Sequence, residues 1–182
     1  MATDTKVETK TFQVDSSHSR VGFAVRHMML AKVRGHFGKI SGSLVLEGGQ
    51  TVPTSIQAEI DVTSIDTREP QRDTHLRSPD FFDTEKFPTI TFKSTEIKPG
   101  SGNEFTATGD LTIHGTTKPL TLTVEAEGRI TDPYGKDRAA YTARGRVHRK
   151  EFGLVWNQAM ETGGVMVGDD VDIELEIEAV GE

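Results

Sequence analysis

At 182 residues the chain is long enough for one domain with a full core and offers no length for a confident second. Hydrophobic residues make up 34% and charged residues 27%, the balance of a chain that folds rather than one that stays disordered. The absence of Cys excludes disulfides, thiolate nucleophiles and cysteine-ligated metal centres, and a formal charge of −7 opposes the counterion release that drives nucleic-acid binding.

Residues 1–10 are polar and read as an N-terminal tail ahead of a single domain over 11–182. No apolar stretch there resembles a secretion signal, and no run nears the roughly 20 apolar residues that span a bilayer. The expectation is a cytoplasmic chain with no integral membrane segment. A strand at 11–15 leads into Asp15, Ser17 and His18, the residue types of a hydrolytic triad. Crowded into one turn they cannot set an acid behind the His and a nucleophile before it, so a network of turn hydrogen bonds is expected.

From there the sequence alternates. In 19–27, Val21, Phe23, Val25 and His27 share one face, while Arg20, Gly22, Ala24 and Arg26 share the other. Met28, Met29, Leu30 and Ala31 then fall at a barrel rim, where unbranched Met suits contact with an apolar chain of variable shape; the alternative is a loop that plugs the barrel end. Strands are expected at 33–46 in one or two pieces and at 54–62, where Ile56, Ala58 and Ile60 alternate with Gln57, Glu59 and Asp61. Pro70 suits a first helical turn and Pro79 a stop, which predicts one short helix near residues 70–78. A strand at 88–98 carries Ile90 and Phe92. The next two runs, ending and starting around 114–118, form a hairpin with Phe105, Ala107, Gly109, Leu111 and Ile113 facing Leu120, Leu122, Val124 and Ala126. Finally, the basic row Arg144, Arg146, His148 and Lys150 matches the acidic row Asp170, Asp172, Glu174, Glu176 and Glu178, so the strands carrying them are predicted to pair antiparallel.

About eight alternating strands with small inward residues predict an all-β, antiparallel barrel, because Gly lets strands bend and closure removes exposed edges. A barrel of that size is either filled by side chains or holds one elongated ligand, and inward Gly and Ala favour the second. No nucleophile elbow, Ser-x-x-Lys or metal-binding His pair occurs, and His18, His27, His36 and His75 fall in separate elements. Neither a catalytic residue, a metal nor another cofactor is expected. Phe81, Phe82, Phe87, Phe92, Phe152 and Trp156 concentrate aromatic mass after the helix and around the 150s. Gly163 and Gly164 lend flexibility to 153–168.

Several local patterns run through the chain in a fixed order: Asp15-x-x-His18-Ser19, Phe23-x-Val25-x-His27, Val33-x-Gly35-x-Phe37, and Glu69-Pro70-Gln71-Arg72-Asp73-x-His75-Leu76-Arg77-Ser78-x-Asp80-Phe81. They continue with Pro88-x-Ile90-x-Phe92, Gly109-x-Leu111-Thr112-Ile113, Thr117-Lys118-Pro119-Leu120, Arg149-Lys150-x-Phe152-Gly153-Leu154 and Val167-Gly168-Asp169. Over roughly 11–180 this resembles the YceI-like family. The resemblance implies an extended lipocalin-like barrel of eight strands that binds a polyisoprenoid or another long-chain amphiphilic lipid, commonly as a homodimer. Many members of that family are periplasmic and carry a leader.

From face and position, the residues expected to line the ligand are Phe23, Val25, His27, Phe37, Phe92, Leu111, Leu122, Val124, Phe152 and Trp156. His27 is the polar candidate for a quinone, phosphate or amide head group. The leading expectation is therefore non-covalent binding, storage or transport of an isoprenoid or isoprenoid quinone. The alternatives are an enzyme acting on such a lipid, with His27 or His18 as acid or base, and a stress or regulatory protein whose barrel is filled.

Overall fold

A computed structural model describes residues 6–182. Its strands are β1 (Thr9–Val14), β2 (Arg20–His27), β3 (Ala31–Phe37), β4 (Ile40–Glu47), β5 (Ser55–Asp61), β6 (Ile65–Asp66), β7 (Thr89–Pro99), β8 (Glu104–Ile113), β9 (Thr116–Thr131), β10 (Asp137–His148) and β11 (Val167–Gly181), with one helix, α1 (Pro70–Arg77), between β6 and β7. All belong to one antiparallel sheet in the order β1-β4-β5-β7-β8-β9-β10-β11-β2-β3-β6, and β1 also pairs with β11. That last pairing closes eight strands, β1, β4, β5 and β7 to β11, into a barrel.

Closure depends on the length of β11. Its C-terminal end pairs with β1, Phe12 opposite Gly181, while its middle pairs with β2, Ile173 opposite Phe23. The neighbouring layer is divided the same way: β3 pairs with β2 and β4 pairs with β1, across a break at Gly38 and Lys39. The region 33–46 therefore forms two strands. β6 extends the sheet past β3, and α1 packs beside it.

Local chemistry explains the helix. Glu69 caps it by accepting from the backbone N–H groups of Gln71 and Arg72, Pro70 occupies the first turn, and the helix ends at Arg77 with Ser78 as its C-cap. Buried Asp73 accepts from the Thr67 amide at 2.9 Å and its hydroxyl at 2.5 Å, and Arg72 donates to the Thr67 hydroxyl and carbonyl, both at 2.8 Å. Arg77 donates to the carbonyls of Thr63 and Ile65. The helix is thus fastened to the β6 region by charged hydrogen bonds rather than by an apolar stripe.

Two boundaries differ from expectation. The sheet begins at Thr9, with Thr9 opposite Glu47 and Lys10 opposite Leu46, so the tail is shorter than residues 1–10; its residues 1–5 lie outside the described residues. Backbone pairing with β4 requires no apolar side chain, which is why polar residues join the strand. The β8–β9 connection is only His114 and Gly115, both at positive φ (52° and 76°), the mirror-image turn that matches strand twist. Thr116 and Thr117 are already paired, and Thr112 and Thr117 share a hydroxyl hydrogen bond of 2.7 Å.

The predicted pairing of basic and acidic rows is present. Arg144, Arg146 and His148 of β10 lie opposite Glu174, Asp172 and Asp170 of β11. Arg146 donates to Asp172 at 2.9 Å and His148 bonds Asp170, whereas Arg144 leans toward Glu104 on β8. Near the other end of β11, Arg138 joins Asp132 at 2.6 Å, Glu178 at 2.7 Å and Asp15 at 3.3 Å. This ties the β1–β2 corner to β10 and β11. The expected turn network occupies that corner: Asp15 accepts from the Ser17 amide and hydroxyl and bonds His18 at 2.8 Å.

These contacts set the direction of pH dependence. The Ser17 hydroxyl, then His18 and Arg138, hold the Asp15 carboxyl far below its ordinary 3.8; Arg138 lowers Asp132 and Arg129 lowers Asp137. Carboxyls lowered on folding contribute stability above their unfolded value and lose it as pH falls through the folded one. His18, raised above 6.5 by Asp15, has the opposite sign: its contribution is full below 6.5 and is lost as pH rises through its folded value. Urea unfolding is therefore expected to shift to lower denaturant as pH falls below about 4, and Arg138→Gln to show a smaller acid-induced shift than the parent chain. An equal shift in both would contradict the assignment.

Candidate functional site

Alternation around a closed sheet directs one face of every strand into a common interior. There, Val21, Phe23 and Val25 of β2, Phe37 of β3, Phe92 of β7, Leu111 of β8, Leu122 and Val124 of β9, Ala143 of β10 and Ile173 of β11 line a cavity of about 250 Å³. Small residues leave this space. Ala58, Ala107 and Ala143 occupy lining positions where larger side chains would fill it.

Glycine also shapes the wall. A Cβ on Gly35 would lie 2.4 Å from the Phe23 ring, and one on Gly109 would lie 2.6 Å from the Phe92 ring and 2.4 Å from the Lys93 carbonyl oxygen. Both phenyl rings thus lie across a neighbouring strand's glycine instead of standing into the lumen. Phe23 also meets Phe37, with ring centroids 5.5 Å apart, and Phe37 meets Phe82 at 6.1 Å. The result is a continuous aromatic wall.

The polar groups on this wall are already engaged. Tyr141 donates to the Thr51 carbonyl at 2.6 Å, and burial pushes its phenol up to about 12. Gln57 donates to Ser43 at 3.2 Å. Arg149, buried, donates to the carbonyls of Leu154, Trp156, Val167 and Gly168, and desolvation pulls its guanidinium below the usual range. Among the described residues no buried side-chain nitrogen or oxygen lacks a partner. The lumen therefore favours an apolar occupant, held by contact area rather than by fixed polar anchors.

Of the residues expected at the ligand, Phe23, Val25, Phe37, Phe92, Leu111, Leu122 and Val124 lie on this wall. His27, Phe152 and Trp156 do not. His27 has the inward parity but is the last residue of β2, opposite Val167, which with Val25 marks the cavity's end. Phe152 is buried in the core, in the short 3-10 turn Arg149–Phe152. Trp156 packs outside the cavity, edge-on against His75 at 4.7 Å and tilted against Phe81 at 5.3 Å. Exposed His18 belongs to the Asp15 corner, so neither His proposed as an acid or base reaches the lumen.

Other wall residues escaped the sequence reading. Leu76, Phe81 and Phe82 come from α1 and the turn after it, and Arg149 and Leu154 from the connection after β10. The signal available for the latter was the Arg149-Lys150-x-Phe152-Gly153-Leu154 pattern, but it gave no face. A second concavity, about 700 Å³, lies on the outside of β2, β3 and β9 to β11 and is lined by Arg20, Arg34, Arg146, Asp172 and Glu174 among others. Its charged walls do not suit an apolar ligand.

A model of the YceI-like domain matches residues 12–179. The chain is similar to protein YceI of Escherichia coli O157:H7, with 34% identity across 91% of this chain and 83% of that protein. Among solved structures it is similar to Burkholderia cenocepacia BcnA, with TM-score 0.78 and 25% identity over 91% of this chain and 98% of that one. The fold is also shared with a polyisoprenoid binding domain from Saccharophagus degradans, with TM-score 0.66 and 14% identity over 92% and 97% of the two chains.

Removing the guanidinium of Arg149 strips charged donors from several enclosed carbonyls. Arg149→Met is expected to lower stability by roughly 2–4 kcal/mol in urea titration and to raise amide exchange in 153–168 more than in β8 to β10. Unchanged exchange in that segment would contradict the anchoring role.

Proposed function

The chain belongs to the YceI-like domain family, and we propose that it binds the tail of a polyisoprenoid or isoprenoid quinone inside the barrel, without a covalent step, and carries it shielded from water. The observation that bears most weight is the apolar cavity of about 250 Å³, walled in part by Ala58, Ala107 and Ala143 where a filled barrel would carry larger side chains. This also favours a carrier over a stress or regulatory protein with a filled barrel. Sharing a fold with a polyisoprenoid binding domain supports the ligand class.

The energetics fit a tail. Burial yields about 0.8 kcal/mol per CH2, so one five-carbon unit contributes roughly 4 kcal/mol before ordering costs. With an association cost of at least about 4 kcal/mol, three or more such units are needed for affinities in the micromolar range and tighter. Specificity for branched isoprenoid over straight acyl chains would come from the wall's rings and methyl groups. A homodimer belongs to the same proposal, and sedimentation of the purified protein tests it: a single monomeric species would remove that part.

The direct test is organic extraction and mass spectrometry of the purified protein, beside native mass spectrometry and uptake of ubiquinone or polyprenol from cyclodextrin. A stoichiometric prenyl species, or saturable uptake, is expected. Ala143→Leu, which projects into the lumen, should weaken uptake at least about tenfold, whereas Phe23→Ala should retain it. An empty protein that takes up neither lipid would overturn the proposal, as would unchanged uptake by a folded Ala143→Leu variant.

A further inference from the structure

The end of the barrel where β2 gives way to β3 carries an apolar cap that the lumen does not use. Two loops form it, residues 28–30 and the connection 153–166 with the first residues of β11 that follow it. The Met28 amide donates to the Met166 carbonyl at 2.8 Å, and Gly164 packs beside the side chains of Met29 and Met160. The connection folds back on itself through an Ala159–Val165 bridge and is held at its base by Arg149 and by Asn157, whose side chain bonds both the amide and the carbonyl of Val167. Both loops are therefore fixed to the barrel rim.

Their composition sets them apart. In a chain that is 27% charged, 153–168 holds only one charged residue, Glu161, and 28–30 holds none. Met28, Met29, Met160 and Met166 are all of the methionines after Met1, and Trp156 is the one tryptophan. Much of this apolar surface faces outward: Leu30 is 84% exposed, Val155 60% and Met29 57%. The 28–30 loop is thus no plug for the barrel end.

The backbone adds an independent observation. Met28 and Met29 both adopt left-handed conformations, φ 53° and 61°, with the Leu30 amide closing the turn onto the His27 carbonyl at 3.1 Å. Asn and Gly are favoured in such a mirror-image turn, and Met in both places is strained. Local strain combined with exposed apolar side chains points to a use outside the fold.

We propose that these loops dock the barrel on a lipid bilayer, inserting Met29, Leu30 and Val155 among the acyl chains. This rests on the carrier reading: the same connection supplies Leu154 to the lumen wall and leads into Val167, also on it, so the docked loops adjoin the end of the cavity. A bilayer fits better than a second copy because the patch adjoins the end of the cavity, and a water-insoluble tail carried there has to enter from a membrane and return to one. With a chain charge of −7 and no cationic side chain on the tips, docking must be driven by apolar insertion rather than by anionic lipid.

Flotation with ligand-free vesicles of phosphatidylcholine, alone or mixed with phosphatidylglycerol, tests this. The parent protein should bind both, with little loss at raised salt and a blue shift of Trp156 emission. Leu30→Asp with Val155→Asp should reduce partitioning at least about tenfold while leaving uptake from cyclodextrin intact. Met28→Asn with Met29→Gly should raise the melting temperature yet weaken partitioning, an outcome that a purely structural turn would not give. No flotation of the parent, equal flotation of the aspartate variant, or binding confined to anionic vesicles and abolished by salt would overturn the proposal. So would loss of self-association in the aspartate variant without loss of vesicle binding. Failure of cyclodextrin uptake by the parent would instead count against the carrier reading, since vesicle binding is measured without ligand.

Discussion

The whole arrangement depends on β11 serving two partners along one edge. If it paired with β2 alone, β1 would leave an open edge and the interior would be a wet groove. Because the last residues of β11 pair with β1, the sheet has no gap there, and alternation sends Val171, Ile173, Leu175 and Ile177 into a common apolar interior. Water expelled from that space is the reason an apolar tail belongs in it.

Closure constrains the outside as well. The acidic face of β11 would repel itself if left alone, and the opposing Arg146 and His148 on β10 relieve it, while Arg138 bridges the corner where β1 bends away toward β2. Inside, Phe23 and Phe92 are large enough to block the lumen, but they lie over Gly35 and Gly109. Each glycine exchanges a side chain for space. Where Arg138 gathers three carboxylates at the corner, Arg149 at the rim donates to several backbone carbonyls at once and holds the connection after β10 as part of the wall.

Much of the fold was legible in the sequence because strand parity is a local property. The alternating apolar positions of β2, β8, β9 and β11 face inward as read, and the matched charges of β10 and β11 identified neighbours. Turn geometry was less legible: His114 and Gly115 make the reversal alone, and nothing in the threonines after them marks where pairing resumes. Parity also misleads at strand ends, as at His27, which has the right face but lies past the cavity. Outside strands there is no parity to read. Phe81 and Phe82 reach the wall while the similar Phe152 and Trp156 do not, because their positions follow from long-range packing of turns and a helix.

The central claim is that an isoprenoid tail lies within the barrel, between β2 and β9. Methyl NMR of the protein with added geranylgeraniol tests this most directly. The account predicts saturable contacts from the ligand's branch methyls to Ala107, Leu122 and Val124, with Val7 and Ile130 on the outside unaffected. Contacts confined to the outer surface, with the lumen methyls unchanged at saturation, would contradict it.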